Sequence, residues 1–182
     1  MGKVVNIKEF LNIVKNLKKS GRIRRFFNYV VLHHTSSPSY KDWQQHPEPS
    51  YWFNAINEAH KQRGWKCIGY HVLIMPNGAI VLGRHPNETG AHVKGHNSYT
   101  VGVACLGNFN KGCDVMKWQQ LRAMQHVVTA LIYLCQGAPS TSCLLFHRDL
   151  ASTDCPGTAM DITYIRRHLI APLIGEIGRL LA

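Results

Sequence analysis

The stretch Leu144–Gly157 reads LLFHRDLASTDCPG and combines an apolar run with two residues that bind metals. The run ends at His147, a polar loop follows, and Cys155 comes eight positions later, directly before Pro156. This pattern predicts a strand that leads into a loop. Imidazole and thiolate groups together favour zinc, and a catalytic zinc usually has three protein ligands and one open position. A third ligand is therefore expected elsewhere in the chain.

The best position for the third ligand is a second apolar run, Asn28–Thr35, which reads NYVVLHHT. This run is also strand-like, and it contains the pair His33 and His34 near its end. Successive strand residues point to opposite faces, so only one of the two histidines can face a given site. A single histidine at a strand end is more often structural than metal-binding. Spacing alone therefore leaves both interpretations open.

Length and composition fit one globular domain. The chain has 182 residues, of which 45% are hydrophobic and 17% charged, enough for one core but short for two. Strand-like and helical patterns intermix without a repeat or a linker, and the turn Asn77-Gly78 between two apolar runs predicts a hairpin. A long helix is expected from about residue 115 to 135. We therefore predict a single α/β domain over residues 28–182, with a mixed central β-sheet flanked by helices.

The N-terminal segment, residues 1–27, differs from this domain in charge. The formal net charge of the chain is +11, and this segment alone holds eight Lys and Arg residues against the single acidic residue Glu9. Its apolar residues fall at helical spacing, which predicts an extra amphipathic helix: Val4, Ile7, Leu11, Val14 and Leu17. We favour packing of its apolar face on the domain; binding to an anionic membrane or lipopolysaccharide is the alternative.

Several function classes are disfavoured by what the sequence lacks. No apolar stretch resembles a signal peptide or could span a bilayer. Six cysteines without such a leader favour free thiols and metal ligation over a disulfide framework, with a Cys135–Cys143 bridge as the less favoured alternative. There is no groove-reading motif, aromatic platform or finger spacing, so no nucleic-acid partner is expected despite the basic charge.

Seven motifs then occur in a fixed order along residues 28–168. They are VLHHT from residue 31, HKQRGW from 60, IGYH from 68, PNG from 76, GAHVKGHN from 90, VGV with LGN from 101 and 106, and HRDLASTDCP from 147. Together they resemble the zinc-dependent N-acetylmuramoyl-L-alanine amidase type 2 family, which includes phage endolysins and animal peptidoglycan recognition proteins. The resemblance covers nearly the whole predicted domain and leaves out the N-terminal segment.

The resemblance also implies roles for single residues. It implies one zinc ion held by His33, His147 and Cys155, and it implies that Tyr70 is a catalytic tyrosine. Thr153 falls where phage enzymes commonly have lysine and recognition-type amidases have threonine, and its hydroxyl would donate to the oxyanion. The remaining implied contacts are with substrate, from His34, His92 and Asn97.

The function implied by the resemblance is hydrolysis of the amide bond between N-acetylmuramic acid and the L-alanine of the stem peptide in bacterial peptidoglycan. A bound zinc lowers the pKa of water to about 7 and polarises a carbonyl, so no protein nucleophile is needed. With no signal peptide and a small size, we expect a monomeric phage endolysin that stays in the host cytoplasm until it is released to the cell wall.

Two alternatives remain open. One is a non-catalytic peptidoglycan-binding protein; members of the family that only bind typically lack the cysteine ligand, which this chain has. The other is a thiol endopeptidase with Cys155 as nucleophile and His147 as base. Such an enzyme should keep its activity when metals are removed.

Overall fold

A six-stranded sheet forms the centre of the computed structural model, which describes residues 1–182. The strand order is β1-β4-β3-β5-β2-β6. The strands β2, β3, β5 and β6 run parallel, whereas β1 and β4 pair antiparallel to their neighbours. The strand bounds are β1 Val4–Val5, β2 Tyr29–His34, β3 Val72–Ile74, β4 Ile80–Leu82, β5 Thr100–Cys105 and β6 Leu144–Phe146. The prediction of a single α/β domain with a mixed sheet is confirmed.

Helices cover both faces of the sheet. They are α1 Ile7–Lys19, α2 Tyr40–Gln45, α3 Pro49–Gln62, α4 Trp118–Ile132, α5 Ile162–Tyr164 and α6 Ala171–Leu181, with a π-helical segment, Ile165–Ile170, between α5 and α6. Three single 3-10 turns span Asn97–Tyr99, Thr141–Cys143 and His147–Asp149. The helix predicted for residues 115–135 is α4, and it is shorter by three residues at each end. After residue 160, α5, the π-helical segment and α6 form one continuous helical stretch.

The two faces of the sheet bury different sets of side chains. Val30 and Leu32 of β2 belong to a cluster of 29 buried residues that includes α1, α4 and α6. The opposite face packs against α2 and α3 in a cluster of 9 buried residues, which contains Leu73 and Ala104. Because side chains alternate along a strand, the side chain of His34 points to the same face as those of Val30 and Leu32, and the side chain of His33 points to the face of the smaller cluster. Of the two histidines, only His33 can therefore contribute to a site on that face.

The hairpin predicted at Asn77-Gly78 joins β3 to β4. Gly78 has a φ of 84°, a left-handed conformation that glycine adopts without steric cost. The Oδ1 atom of Asn77 accepts a hydrogen bond of 3.1 Å from the backbone N–H of Ala79. Strand β1 then pairs with the free edge of β4, with Val4 opposite Val81.

The N-terminal segment packs on the sheet and helices. Val4 lies in β1 rather than in the predicted helix, and α1 begins after Asn6, whose side chain forms a capping box with Glu9. Phe10 and Val14 of α1 are buried, with 3% and 1% of their surface exposed, so the apolar face of the helix lies on the domain as favoured. The boundary between residues 27 and 28 stays a prediction.

Three further features concern residues 36–50, the cysteines and membranes. Residues 36–50 are rich in Ser and Pro, a composition typical of a loop, but they contain the short helix α2 and the start of α3. All six cysteines are free thiols, so no Cys135–Cys143 bridge is formed. No helix combines the length and the hydropathy needed to cross a membrane.

Candidate metal centre and active site

His33, His147 and Cys155 converge at one end of the parallel strands. One ligand atom from each lies within 4.8 Å of the other two, and His33 Nδ1 is 3.6 Å from Cys155 Sγ. In a tetrahedral zinc site, a nitrogen at about 2.0 Å and a sulfur at about 2.3 Å from the metal lie about 3.5 Å apart. The nitrogen–sulfur pair is therefore already spaced as zinc requires, and two imidazoles with one thiolate leave a fourth position open.

The sheet register explains why these residues meet although 122 positions separate His33 from Cys155. Strands β2 and β6 are parallel neighbours, with Leu32 opposite Phe146. The next residue in each case is a histidine, His33 within β2 and His147 directly after β6, so both histidines lie at the same end of the parallel strands. Their ring centroids are 4.6 Å apart.

The loop that carries Cys155 is tied back to the end of β6. The backbone N–H of Arg148 donates to the carbonyl of Cys155 at 2.9 Å, and its guanidinium donates to the carbonyls of Gly157, at 2.8 Å, and Met160. The guanidinium also lies over the Phe146 ring, 4.7 Å from its centroid. Arg148 therefore holds both ends of the loop, a role that the sequence analysis did not assign to it.

Gly157 allows the loop to approach its neighbour closely. Its φ is +116°, and a Cβ atom built there would lie 2.3 Å from the carbonyl oxygen of Phe109. No L side chain fits both conditions. Gly157 thus lets the segment after Cys155 lie directly against Phe109.

Burial sets the protonation of the three residues. Burial lowers the pKa of His33 well below its usual value, and the neighbouring His92 lowers it further. Burial also lowers the pKa of His147. Both rings are therefore neutral at pH 7 and have a lone pair for a metal. Burial raises the pKa of the Cys155 thiol to about 11, against the opposing effects of the His34 N–H and Arg148.

Tyr70 lies beside the cluster of His33, His147 and Cys155, called the cluster below. Its ring centroid is 5.2 Å from that of His33, and burial raises the pKa of its hydroxyl, which stays protonated at neutral pH. Tyr70 also lines a cleft of about 200 Å³, together with Thr35, Trp52, His60 and Arg63. The side chain of Tyr70 therefore borders both the cluster and the cleft.

The other predicted site residues have different surroundings. Thr153 is exposed, and its Oγ1 accepts a hydrogen bond of 3.3 Å from the N–H of Cys155. The side chain of His34 lies on the other face of the sheet from His33, and its Nδ1 accepts from the N–H of Phe109 at 3.2 Å. The structure thus brings Tyr70 and Thr153 close to the cluster, whereas the His34 ring points away from it.

His92 and Asn97 also have their polar atoms engaged within the protein. His92 is buried, and its Nδ1 lies 3.0 Å from His33 Nε2. The Oδ1 atom of Asn97 accepts from the N–H groups of His92 and Val93 at 2.8 and 2.9 Å. Substrate binding by His34, His92 and Asn97 stays a prediction.

The fold and the cluster together define an α/β domain with a candidate metal site at the end of its parallel strands. Residues 23–158 match the family model described as N-acetylmuramoyl-L-alanine amidase, a range that includes β2 to β6 and all three members of the cluster. The chain belongs to this family.

Individual relatives come from animals and from bacteriophages. The chain is 30% identical over 135 residues to peptidoglycan-recognition protein SC1a of Drosophila melanogaster, covering 73% of this chain and 69% of that protein. It is 35% identical over 104 residues to an endolysin of Enterobacteria phage K11, covering 56% of this chain and 66% of the endolysin.

Solved structures show the same architecture. The N-acetylmuramoyl-L-alanine amidase LysC from Clostridium intestinale is 30% identical, with a TM-score of 0.58 over 86% of this chain and 87% of that one. Drosophila PGRP-LB is 25% identical, with a TM-score of 0.67 over 82% and 85% of the two chains. A mutant of PGRP-LB has been solved in complex with tracheal cytotoxin.

Proposed function

We propose that this protein is a zinc-dependent peptidoglycan hydrolase that cleaves the amide bond between N-acetylmuramic acid and the L-alanine of the stem peptide. The observation that carries the proposal is the cluster of His33, His147 and Cys155, whose ligand atoms lie within 4.8 Å of one another. Family membership supports the reaction, and the tracheal cytotoxin bound to a PGRP-LB mutant supports a peptidoglycan fragment as the ligand class.

In this proposal the three cluster residues hold one zinc ion. When bound, zinc supplies a Lewis acid for the scissile carbonyl and lowers the pKa of a water molecule. The neutral rings of His33 and His147 provide the nitrogen ligands, and Cys155 gives up its proton to provide the sulfur ligand. Arg148 keeps the cysteine loop against β6, so the ligands are positioned before the metal arrives.

Tyr70 and Thr153 act on the substrate. The protonated hydroxyl of Tyr70 orients the attacking water or donates to the carbonyl oxygen as negative charge develops on it. The exposed hydroxyl of Thr153, in the loop that carries Cys155, donates to the same oxygen. A hydroxyl is a weaker donor for this purpose than an ammonium group, so we expect Thr153 to contribute less than Tyr70.

The thiol endopeptidase alternative is disfavoured by the surroundings of Cys155. A nucleophilic cysteine needs a lowered pKa, from a cationic neighbour or a helix N-terminus. Burial instead raises the pKa of Cys155 to about 11, and burial lowers the pKa of His147, so no imidazolium stabilises a thiolate. The non-catalytic alternative is disfavoured because the chain keeps the cysteine ligand and the tyrosine.

The biological setting that we propose is host lysis by a bacteriophage. The relatives include phage endolysins, and an enzyme of this kind would act as a monomer that stays in the host cytoplasm until it reaches the wall. The exposed cations of the N-terminal segment would then bind anionic lipid or lipopolysaccharide of the envelope.

The N-terminal proposal can be separated from the role of α1 in the fold. Deleting residues 1–20 would remove the buried side chains Phe10 and Val14 and expose the apolar residues that they cover. Such a deletion tests stability rather than binding. A variant with exposed cations Lys8, Lys19, Arg22 and Arg24 changed to glutamine keeps the buried face. We expect it to hydrolyse purified wall normally and to bind whole cells or anionic vesicles less; unchanged binding would refute the envelope role.

The test of the main proposal is mass spectrometry of the products released from purified peptidoglycan. Free stem peptides with a new L-alanine amino terminus are expected; they should disappear after chelation and return with added zinc. Cleavage within the stem peptide that survives chelation would identify a thiol endopeptidase. Absence of cleavage with zinc bound would leave a wall-binding protein.

A further inference from the structure

We propose that His92 and Thr100 are positioning residues that fix the proton of His33, so that His33 Nδ1 is always free to bind the metal. This inference rests on the proposed zinc site. It gives the motif around Gly90–Asn97 a role behind the metal ligand, separate from the substrate contacts that the resemblance implies.

The ring of His92 is held in one place by its neighbours. A Cβ atom at Gly102 would lie 2.6 Å from Cγ of the His92 ring, and one at Gly90 would lie 2.5 Å from its Cδ2. Both glycine backbones therefore touch the ring, which leaves it little freedom. The backbone at His92 is fixed as well, because its N–H donates to Asn97 Oδ1 at 2.8 Å.

The direction of the hydrogen bonds follows from the single proton of the Thr100 hydroxyl. That hydroxyl donates to the carbonyl oxygen of His96 at 2.8 Å, so Thr100 Oγ1 can only accept from His92 Nε2, which lies 3.4 Å away. A neutral imidazole carries one N–H, and here the N–H is at Nε2. The other nitrogen of His92, Nδ1, must therefore be an acceptor.

The same reasoning fixes His33. Its Nε2 lies 3.0 Å from His92 Nδ1, so His33 donates from Nε2 and its Nδ1 has no proton. Nδ1 is the atom that lies 3.6 Å from Cys155 Sγ, on the side of the cluster. The lone pair of His33 thus points to the metal position before any metal is bound.

A hydrogen bond to the distal nitrogen of a metal-binding histidine orients the ring and raises its basicity, and losing such a bond typically lowers metal affinity about 10- to 100-fold. The usual partner is a carboxylate or a carbonyl. A buried neutral histidine fixes the tautomer without adding a charge next to the cluster. Thr100 is needed because His92 could carry its proton on either nitrogen if the Thr100 hydroxyl did not accept a hydrogen bond from Nε2.

The experiment measures zinc affinity by competition with a chelator, for the wild type and for His92→Phe, His92→Asn and Thr100→Val. The phenylalanine removes the acceptor and should raise the zinc Kd about 10- to 100-fold. The asparagine places an amide oxygen near the position of Nδ1 and should restore most of the affinity. Thr100→Val should give a smaller rise than His92→Phe. Equal zinc affinity in the wild type and His92→Phe, or equal weakness of His92→Asn and His92→Phe, would overturn the inference.

A matched control and a second readout keep this inference separate from the main proposal. Thr129 is another buried threonine, with its hydroxyl bonded to the carbonyl of Gln125 within α4, so Thr129→Val should leave zinc affinity unchanged. In metal-free protein, nitrogen NMR of labelled histidines should show the proton of His33 on Nε2, with a mixture of both forms in Thr100→Val. A proton on Nδ1 in the wild type would refute the positioning role; failure of the wild type to bind zinc would refute the main proposal.

Discussion

Zinc affinity should rise with pH, because Cys155 must lose a proton before its sulfur can bind the metal. Burial raises the pKa of the metal-free thiol to about 11, so at pH 7 only about one molecule in ten thousand carries the thiolate. Each pH unit up to that pKa should therefore strengthen zinc binding about tenfold, or roughly 1.4 kcal/mol. His33 and His147 add nothing to this slope above pH 7, since both pKa values are lowered and the rings are already neutral.

The assay is competition with a chelator of known pH dependence at pH 7, 8 and 9, with Cys155→Asp as the control. The aspartate is ionised throughout this range, so it reports any other proton that is linked to zinc binding. The wild type should release one proton more per zinc than the variant, and its affinity should still rise from pH 8 to 9, where an ordinary thiol with a pKa of about 8.5 levels off. Equal slopes in both proteins would refute the assignment of Cys155 as a ligand that binds as a thiolate.

Three other predictions concern catalysis and stability. Tyr70→Phe should lower turnover at least about tenfold, since an acid–base or oxyanion contact is worth that much or more, with zinc content unchanged; an unchanged rate would remove Tyr70 from the mechanism. Gln120→Leu should lower the free energy of unfolding by about 3 kcal/mol. The buried amide nitrogen of Gln120 donates to the carbonyls of Ile74 and Leu106, and its amide oxygen accepts from the hydroxyl of Tyr40. The Ile74 carbonyl still accepts from the N–H of Leu106 in the variant, whereas the Leu106 carbonyl and the Tyr40 O–H lose their partner, at roughly 1–3 kcal/mol each. Urea unfolding checks this, and Gln119→Leu at the exposed neighbouring position should change little. Acidification should destabilise the fold, because burial lowers the pKa of His60 to about 4 and of His71 to about 3. Between pH 6.5 and those values the unfolded chain binds more protons, and each histidine removes up to roughly 1.4 kcal/mol of stability per pH unit. Equal urea midpoints at pH 7.5 and 5 would contradict this.

Much of the fold could be predicted because local and long-range signals agree. The apolar runs at 29–32, 72–74 and 144–146 lie in the sheet, and Asn77-Gly78 forms the turn that its composition predicts. The exceptions have local causes. Val4 fits a helical pattern, but Asn6 caps the helix after it and leaves Val4 to pair with Val81.

The candidate site could be predicted in part. The two strand-end histidines and Cys155 are visible in the sequence, and the resemblance to the amidases paired them across more than a hundred residues. The contact between His33 and His92 could not be predicted, because it depends on two glycines that let a ring lie between backbones. The role of Arg148 depends on where the cysteine loop returns, which no short-range pattern encodes.

The pairing of β2 with β6 has a consequence for protein synthesis. His147 and Cys155 are synthesised more than a hundred residues after their partner His33. Until β6 is made, one edge of β2 has no neighbour, and a nascent or prematurely terminated chain has no complete metal centre. In the proposed zinc enzyme, hydrolysis would therefore require nearly the whole of residues 33–155, and a copy terminated before Cys155 would lack one of the three ligands.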